Sequence, residues 1–179
     1  MSVCIVSFSS RKNGNCSQIG EFIRSQIVDA KLYDFSTFTI SPCGECVYQC
    51  FRSGSNCPFF DDKEYEMLDA ITNSEITYFI VPNYCDFPCS NFFIFNERSL
   101  CYFQNYEELL KKYLQVSKKF LVVSNSNYEN FKTAFSYHTD KKPDILCLSA
   151  NSYGKSSVDG NLLSSKQAVD DLRSFIFKK

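Results

Sequence analysis

Val3 to Ser17 reads VCIVSFSSRKNGNCS: a short apolar run rich in β-branched residues, a polar loop, and the opening of an amphipathic stretch. Val3 to Phe8 has the make-up of a buried strand. From about Ser17 onward, Ile19, Phe22, Ile23 and Ile27 recur at helical spacing and predict a helix with one buried face. A strand that feeds a helix through a polar loop is the first half of a βαβ unit, so the question is whether the rest of the chain repeats it.

It does. KLYDFS around Leu32 is a second, weaker strand. Asp61 or Asp62 is placed to cap a helix that turns Tyr65, Leu68 and Ile71 inward and leaves Glu66 and Asp69 to solvent. Thr77 to Pro82, TYFIVP, is continuously apolar, as strands buried on both faces are. An aromatic segment from Ser90 to Phe103, a helix from Tyr106 to Tyr113 and a strand from Phe120 to Ser124 follow. Ile145 to Asn151 is a further strand, and Ser164 to Phe177 a closing helix with Ala168, Leu172, Phe175 and Ile176 on one side. The alternation predicts an α/β fold, a doubly wound parallel five-stranded sheet with helices on both faces. Polar loops after Phe8, Pro82 and Ser124 would converge at the carboxyl ends of the strands, where such sheets bind ligands.

With 179 residues, 44% of them hydrophobic, residues 1–179 are expected to form one domain. The net charge is -1 and the basic residues are scattered, which argues against nucleic acid as a partner. MSVCIVSFSS has no basic n-region and too short an apolar run for a signal peptide, and no window is long enough for a bilayer span. The expectation is a cytoplasmic protein without a membrane partner. In that compartment thiols stay reduced, so ten cysteines are poor grounds for a disulfide scaffold.

SSRKNGNCS, Ser9 to Ser17, offers hydroxyls, an Arg, a Lys and backbone NH groups entering a helix, which is the composition of an anion site. It is neither a P-loop, lacking a closing Gly-Lys-Ser/Thr, nor G-x-G-x-x-G. The plainer alternative is a polar loop capped by Ser17. PCGECVYQCFRSGSNCPFFDD, Pro42 to Asp62, packs Cys43, Cys46, Cys50 and Cys57 into one loop. A [4Fe-4S] cluster needs converging thiolates; the gaps after Cys46 and Cys50 are longer than in the ferredoxin run, and a local bulge would have to absorb the difference. A four-thiolate zinc site and a loop of reduced thiols are the other readings. Cys4, Cys85, Cys89 and Cys147 read as small buried packing residues, and His138, the only histidine, as a surface loop residue.

Three motifs in order carry a family likeness. SFSSRKNGNCS resembles the phosphate loop of the flavodoxin-like NADPH-dependent FMN reductases. PNYCDFPCSNFFIFNER, Pro82 to Arg98, resembles their second flavin loop, with Tyr84, Glu97 and Arg98 at the matching spacing, and residues 42–62 resemble the cysteine insertion of the iron-sulfur flavoprotein branch. The resemblance implies FMN, with Ser9, Arg11, Asn15, Cys16 and Ser17 at its phosphate. It implies Pro82, Asn83, Tyr84, Cys85 and Asp86 along the ring and ribityl chain, and Asn125, Ser126 and Asn127 near the ring's polar edge. It further implies hydride transfer from NADH or NADPH to FMN, then electron delivery to a flavin, quinone or redox-protein acceptor, with no catalytic acid or base because the flavin carries the chemistry. A possible cluster at Cys43, Cys46, Cys50 and Cys57 belongs to the same picture. So does a homo-oligomer, since FFIFNERSLCYF (92–103) is apolar enough for a subunit face or for a helix beneath the flavin. Rival readings are a flavodoxin-like electron carrier that takes no hydride directly, and a degenerate interaction module without flavin.

Overall fold

The computed structural model describes residues 2–53, 57–104, 107–125 and 128–178. Its strands are β1 (Val3–Ser7), β2 (Ala30–Asp34), β3 (Ile76–Tyr84), β4 (Phe87–Pro88), β5 (Ser117–Ser124) and β6 (Asp144–Ser149). Its helices are α1 (Asn15–Gln26), α2 (Gln49–Ser53), α3 (Lys63–Thr72), α4 (Ser90–Phe103), α5 (Glu107–Gln115), α6 (Phe131–Ser136) and α7 (Lys166–Phe177). Five strands pair in parallel in the order β2-β1-β3-β5-β6, while the two-residue β4 folds back antiparallel on the end of β3. This is the flavodoxin-like doubly wound order, and its switch point lies between β1 and β3.

The central strands are apolar throughout because each face is covered. Val6, Phe79, Val81, Phe120 and Val122 point to one side, against Met67, Leu68 and Ile71 of α3, Phe92 and Phe95 of α4, and Phe131 and Phe135 of α6. Ile5, Tyr78, Ile80, Leu121 and Val123 point to the other, against Ile19 and Ile23 of α1 and Ala168, Leu172, Phe175 and Ile176 of α7. The period of two along the strands thus assigns residues to two cores. Phe8, just past β1, is fully buried and meets the rings of Phe35, Phe79, Phe92 and Phe95.

Several elements differ from expectation. Gly14, not Ser17, is the N-cap of α1, and Ser17 lies inside its first turn. Asp62 caps α3 as expected, its carboxylate accepting from Glu64 N at 3.0 Å, but Tyr65 is only half-buried and Glu64 is the residue turned inward. The last strand stops at Ser149, where Ala150–Tyr153 form a 3-10 turn, and α7 begins at Lys166 with Ser165 as its cap. Helices α2 and α6, of five and six residues, have too few turns to leave a periodic signal. Tyr106, expected to open α5, lies outside the described residues. His138 is 2% exposed rather than on the surface, because α6 turns it back under α4, against Phe92 and Phe95. Cys4 and Cys89 are buried and Cys147 partly so, whereas Cys85 is exposed, at the tip of the β3–β4 turn. Among the described residues no helix is long and apolar enough to cross a membrane.

Candidate functional site

Between β1 and α1 the chain makes a tight loop. Arg11 N donates to Ser9 Oγ at 3.2 Å, Gly14 N donates to the Arg11 carbonyl at 3.2 Å, and Asn13 takes a left-handed φ of 55°, which an Asn side chain tolerates. A Cβ on Gly14 would lie 3.2 Å from the Arg11 side chain and carbonyl, a tight approach that would push Arg11 by a few tenths of an ångström. Gly14 brings no capping side chain, and the first turn of α1 holds no acid. Asn15, Cys16 and Ser17 are buried there, and their NH groups precede that of Gln18, the first to donate within the helix, to the Gly14 carbonyl at 3.0 Å. The result is an uncapped positive helix end beside the exposed Arg11.

The β3–β4 hairpin faces this loop. Asn83 Nδ2 donates to Ser124 Oγ at 2.9 Å, tying β3 to β5 at their carboxyl ends. Cys85 and Asp86 both take positive φ, 52° and 65°, as the two central residues of a type I′ turn must. Asp86 Oδ2 accepts from Asn130 Nδ2 at 3.1 Å. Pro82, Asn83 and Tyr84 then join Ser9, Arg11, Gly14, Asn15 and Cys16 around a cavity of about 80 Å³, with Val123, Ser157 and Val158 completing it. Burial pushes the Cys16 thiol up, so it stays neutral at the helix end. Burial also raises the Tyr84 phenol, helped by the neighbouring Cys89 and Cys16 and opposed by Arg11.

The segment after β6 was not legible as part of this site. Asn15 Nδ2 donates to the Ser157 carbonyl at 2.9 Å, and Asn15 Oδ1 accepts from Leu162 N at 3.0 Å. Gln18 Nε2 donates to the Gly160 carbonyl at 2.6 Å, and Ser157 N donates to Asn125 Oδ1 at 2.8 Å. The side chains of Asn15 and Asn125, expected at a cofactor, therefore fasten residues 157–162 over the loop. Ser17 Oγ donates to the Arg11 carbonyl at 3.4 Å, bracing the same turn. Ser126 and Asn127 lie outside the described residues. Gly14, Val123, Ser157 and Val158 escaped the sequence reading; only the Gly and Asn of 160–161 mark a turn there, and a turn signal does not name what it covers.

The cysteine loop is held on α4. Arg98, fully buried, donates from Nη1 to the Ser41 carbonyl at 2.6 Å and to Asp62 Oδ2 at 2.8 Å, and from Nη2 to the Phe59 carbonyl at 3.2 Å. Glu97 Oε1 accepts from Cys43 N at 2.9 Å. Glu97 and Arg98 thus pin both ends of residues 41–62. The four expected ligands do not converge as a set: Cys43, Cys50 and Cys57 are buried with Cys101 of α4, while Cys46, half-buried, donates from Sγ to the Cys43 carbonyl at 3.3 Å. Cys46 makes that local bond outside the buried group, and α4 supplies the fourth sulfur. Among the described residues no group of three or more His, Cys, Asp or Glu is arranged to hold a metal ion.

The loop and helix end present donors that fit a phosphate monoester: the α1 NH groups, the Ser9 hydroxyl and Arg11. The cavity of about 80 Å³ has room for a group of that size and not for a whole ligand, since pockets that enclose one run to roughly 300–1,000 Å³. No family model matches the sequence, and no curated protein does. Among solved structures, the Trp repressor binding protein of Bacillus subtilis is similar with a TM-score of 0.66 at 13% identity, over 99% of both chains. The NAD(P)H:(acceptor) oxidoreductase FerB of Paracoccus denitrificans gives 0.53 at 10% identity, over 98% of this chain and 94% of that one. An azoreductase of Bacillus anthracis gives 0.57 at 6% identity, over 98% of both. At such identities the likeness is one of architecture, and what it establishes is that this chain has the flavodoxin-like α/β fold.

Proposed function

We propose that the protein is an FMN-binding oxidoreductase that takes hydride from NADH or NADPH and passes electrons to a flavin, quinone or redox-protein acceptor. The observation that carries this reading is the buried, uncapped start of α1 beside Arg11, at the switch point of the sheet and facing the β3–β4 hairpin. FMN, when bound, supplies the hydride and electron chemistry. The chain's own residues anchor and place it. Ser9, Arg11 and the NH groups of Asn15, Cys16 and Ser17 hold the phosphate, and Pro82 to Asp86 border the rest. Asn15 and Asn125 act on the site through residues 157–162, whose carbonyl and NH groups they hold. The reductase and azoreductase activities named for structurally similar proteins agree with this reading. A homo-oligomer belongs to it as well, since α4 leaves Phe93 and Leu100 exposed.

The test is an FMN titration followed by flavin fluorescence, on the unaltered chain and on Arg11→Ala. Losing a charge-assisted contact worth about 1.5–3 kcal/mol should weaken FMN by roughly ten- to a hundredfold. NADH and NADPH oxidation with a flavin or quinone acceptor is then measured on the loaded protein. Bound FMN without nicotinamide turnover would make the protein an electron carrier; no FMN binding at any practical concentration would end the flavin reading.

A further inference from the structure

The thiols of Cys43, Cys50 and Cys57 from the loop and Cys101 from α4 are buried in one small cluster, packed by Phe59 and Tyr65. Within it, Cys50 Sγ and Cys101 Sγ lie 3.1 Å apart, across 51 residues of chain. A disulfide needs roughly 2.05 Å, so about 1 Å of closure separates contact from bond. The surroundings already fix the two backbones against each other. Gln104 Nε2, one turn past Cys101, donates to the Cys50 carbonyl at 2.9 Å, while Glu97 and Arg98 clamp the loop ends to the same helix. Neither thiol lines the cavity beside α1, and Cys46, the loop's least buried thiol, is not part of the buried cluster.

We propose that Cys50 and Cys101 are a redox-reversible pair, oxidised by a small peroxide to a disulfide that locks α2 onto α4. Cys50 sits on a five-residue helix beside exposed Phe51 and Arg52, an element that can open locally without disturbing the sheet. Its thiolate attacks one peroxide oxygen; the O–O bond breaks, hydroxide leaves and is protonated to water, and sulfur becomes sulfenic acid. Cys101 Sγ then attacks that sulfur; the S–S bond forms, the S–O bond breaks, and the second hydroxide leaves as water with the Cys101 proton. Two thiols and one hydrogen peroxide give one disulfide and two waters. A dithiol reductant reverses it by thiol–disulfide exchange.

The test treats the reduced full chain with hydrogen peroxide, counts free thiols after denaturation, and maps cross-linked peptides by mass spectrometry without reduction. The expected result is the loss of two of the ten thiols, a Cys50 peptide joined to a Cys101 peptide, and full recovery with dithiothreitol. Cys50→Ser and Cys101→Ser should each abolish the link and Cys46→Ser should leave it; mapping of the unaltered chain decides the matter even if a serine variant misfolds. A link from Cys101 to Cys43 instead, oxidation confined to Cys46 and Cys85, or purified protein with zinc or iron shielding the clustered thiols would each overturn the proposal.

Discussion

His138 Nδ1 shares a hydrogen bond of 2.7 Å with the Tyr113 hydroxyl, inside a shell of Phe79, Phe92 and Phe95. Burial, helped by Lys118, pushes its pKa down from 6.5 to about 3. Between those values the unfolded chain binds the extra proton, so stability falls as pH drops through that window. At about 1.4 kcal/mol per unit, going from pH 6.5 to 4 should cost about 3 kcal/mol, and His138→Gln should remove that slope in urea melts at stepped pH. Glu64 acts at the other limb. It is fully buried, and burial lifts its carboxyl well above 4.5, so the folded state holds the extra proton and stability falls as pH rises above 4.5. Glu64→Gln should flatten that limb and leave the acid limb unchanged. Neither burial is written in sequence: Glu64 precedes the residue whose spacing pointed inward, and His138 stands in a charged stretch.

The β3–β4 turn places two residues with side chains where φ is positive. Left-handed backbone costs an ordinary L-residue roughly 1–2 kcal/mol and an Asn less, so Cys85→Asn should stabilise the flavin-free protein by about 0.5–1 kcal/mol in chemical denaturation. At the far end of the sheet, Lys119 Nζ donates to the carbonyls of Phe175, Ile176 and Lys178 at 2.8, 3.2 and 2.7 Å, a cation at the carboxyl end of α7. Lys119→Met should cost about 1–2 kcal/mol and fray the last turn of α7, visible as faster amide exchange there. Element by element, α1, α3, α5 and α7 were legible because each repeats apolar residues at helical spacing, whereas the aromatic run in α4 is too uniformly apolar to show a period. The loop after β1 was legible as a strand-to-helix connection because polar, glycine-bearing sequence marks the break between two apolar patterns; the short α2, α6 and β4 lack the length for any pattern.

Across the molecule, Arg98 joins α4 to both ends of the cysteine loop. Removing one partner of a buried ion pair costs about 3–5 kcal/mol, so Arg98→Met should lower stability by that order and open residues 42–62 to limited proteolysis while the sheet still resists. The Glu97–Arg98 pair stands in the sequence as part of a flavin-loop likeness, yet both side chains bond to the cysteine loop. The strands, the main helices, their order and the positive helix end all follow from local pattern, because periodicity and loop chemistry report how each element is buried. Who stands opposite is not local. Asn15 meets Ser157 across 142 residues, Cys101 rather than Cys46 joins Cys43, Cys50 and Cys57, and His138 lies under α4, because packing of distant faces against one sheet chose among neighbours that no spacing in the chain distinguishes.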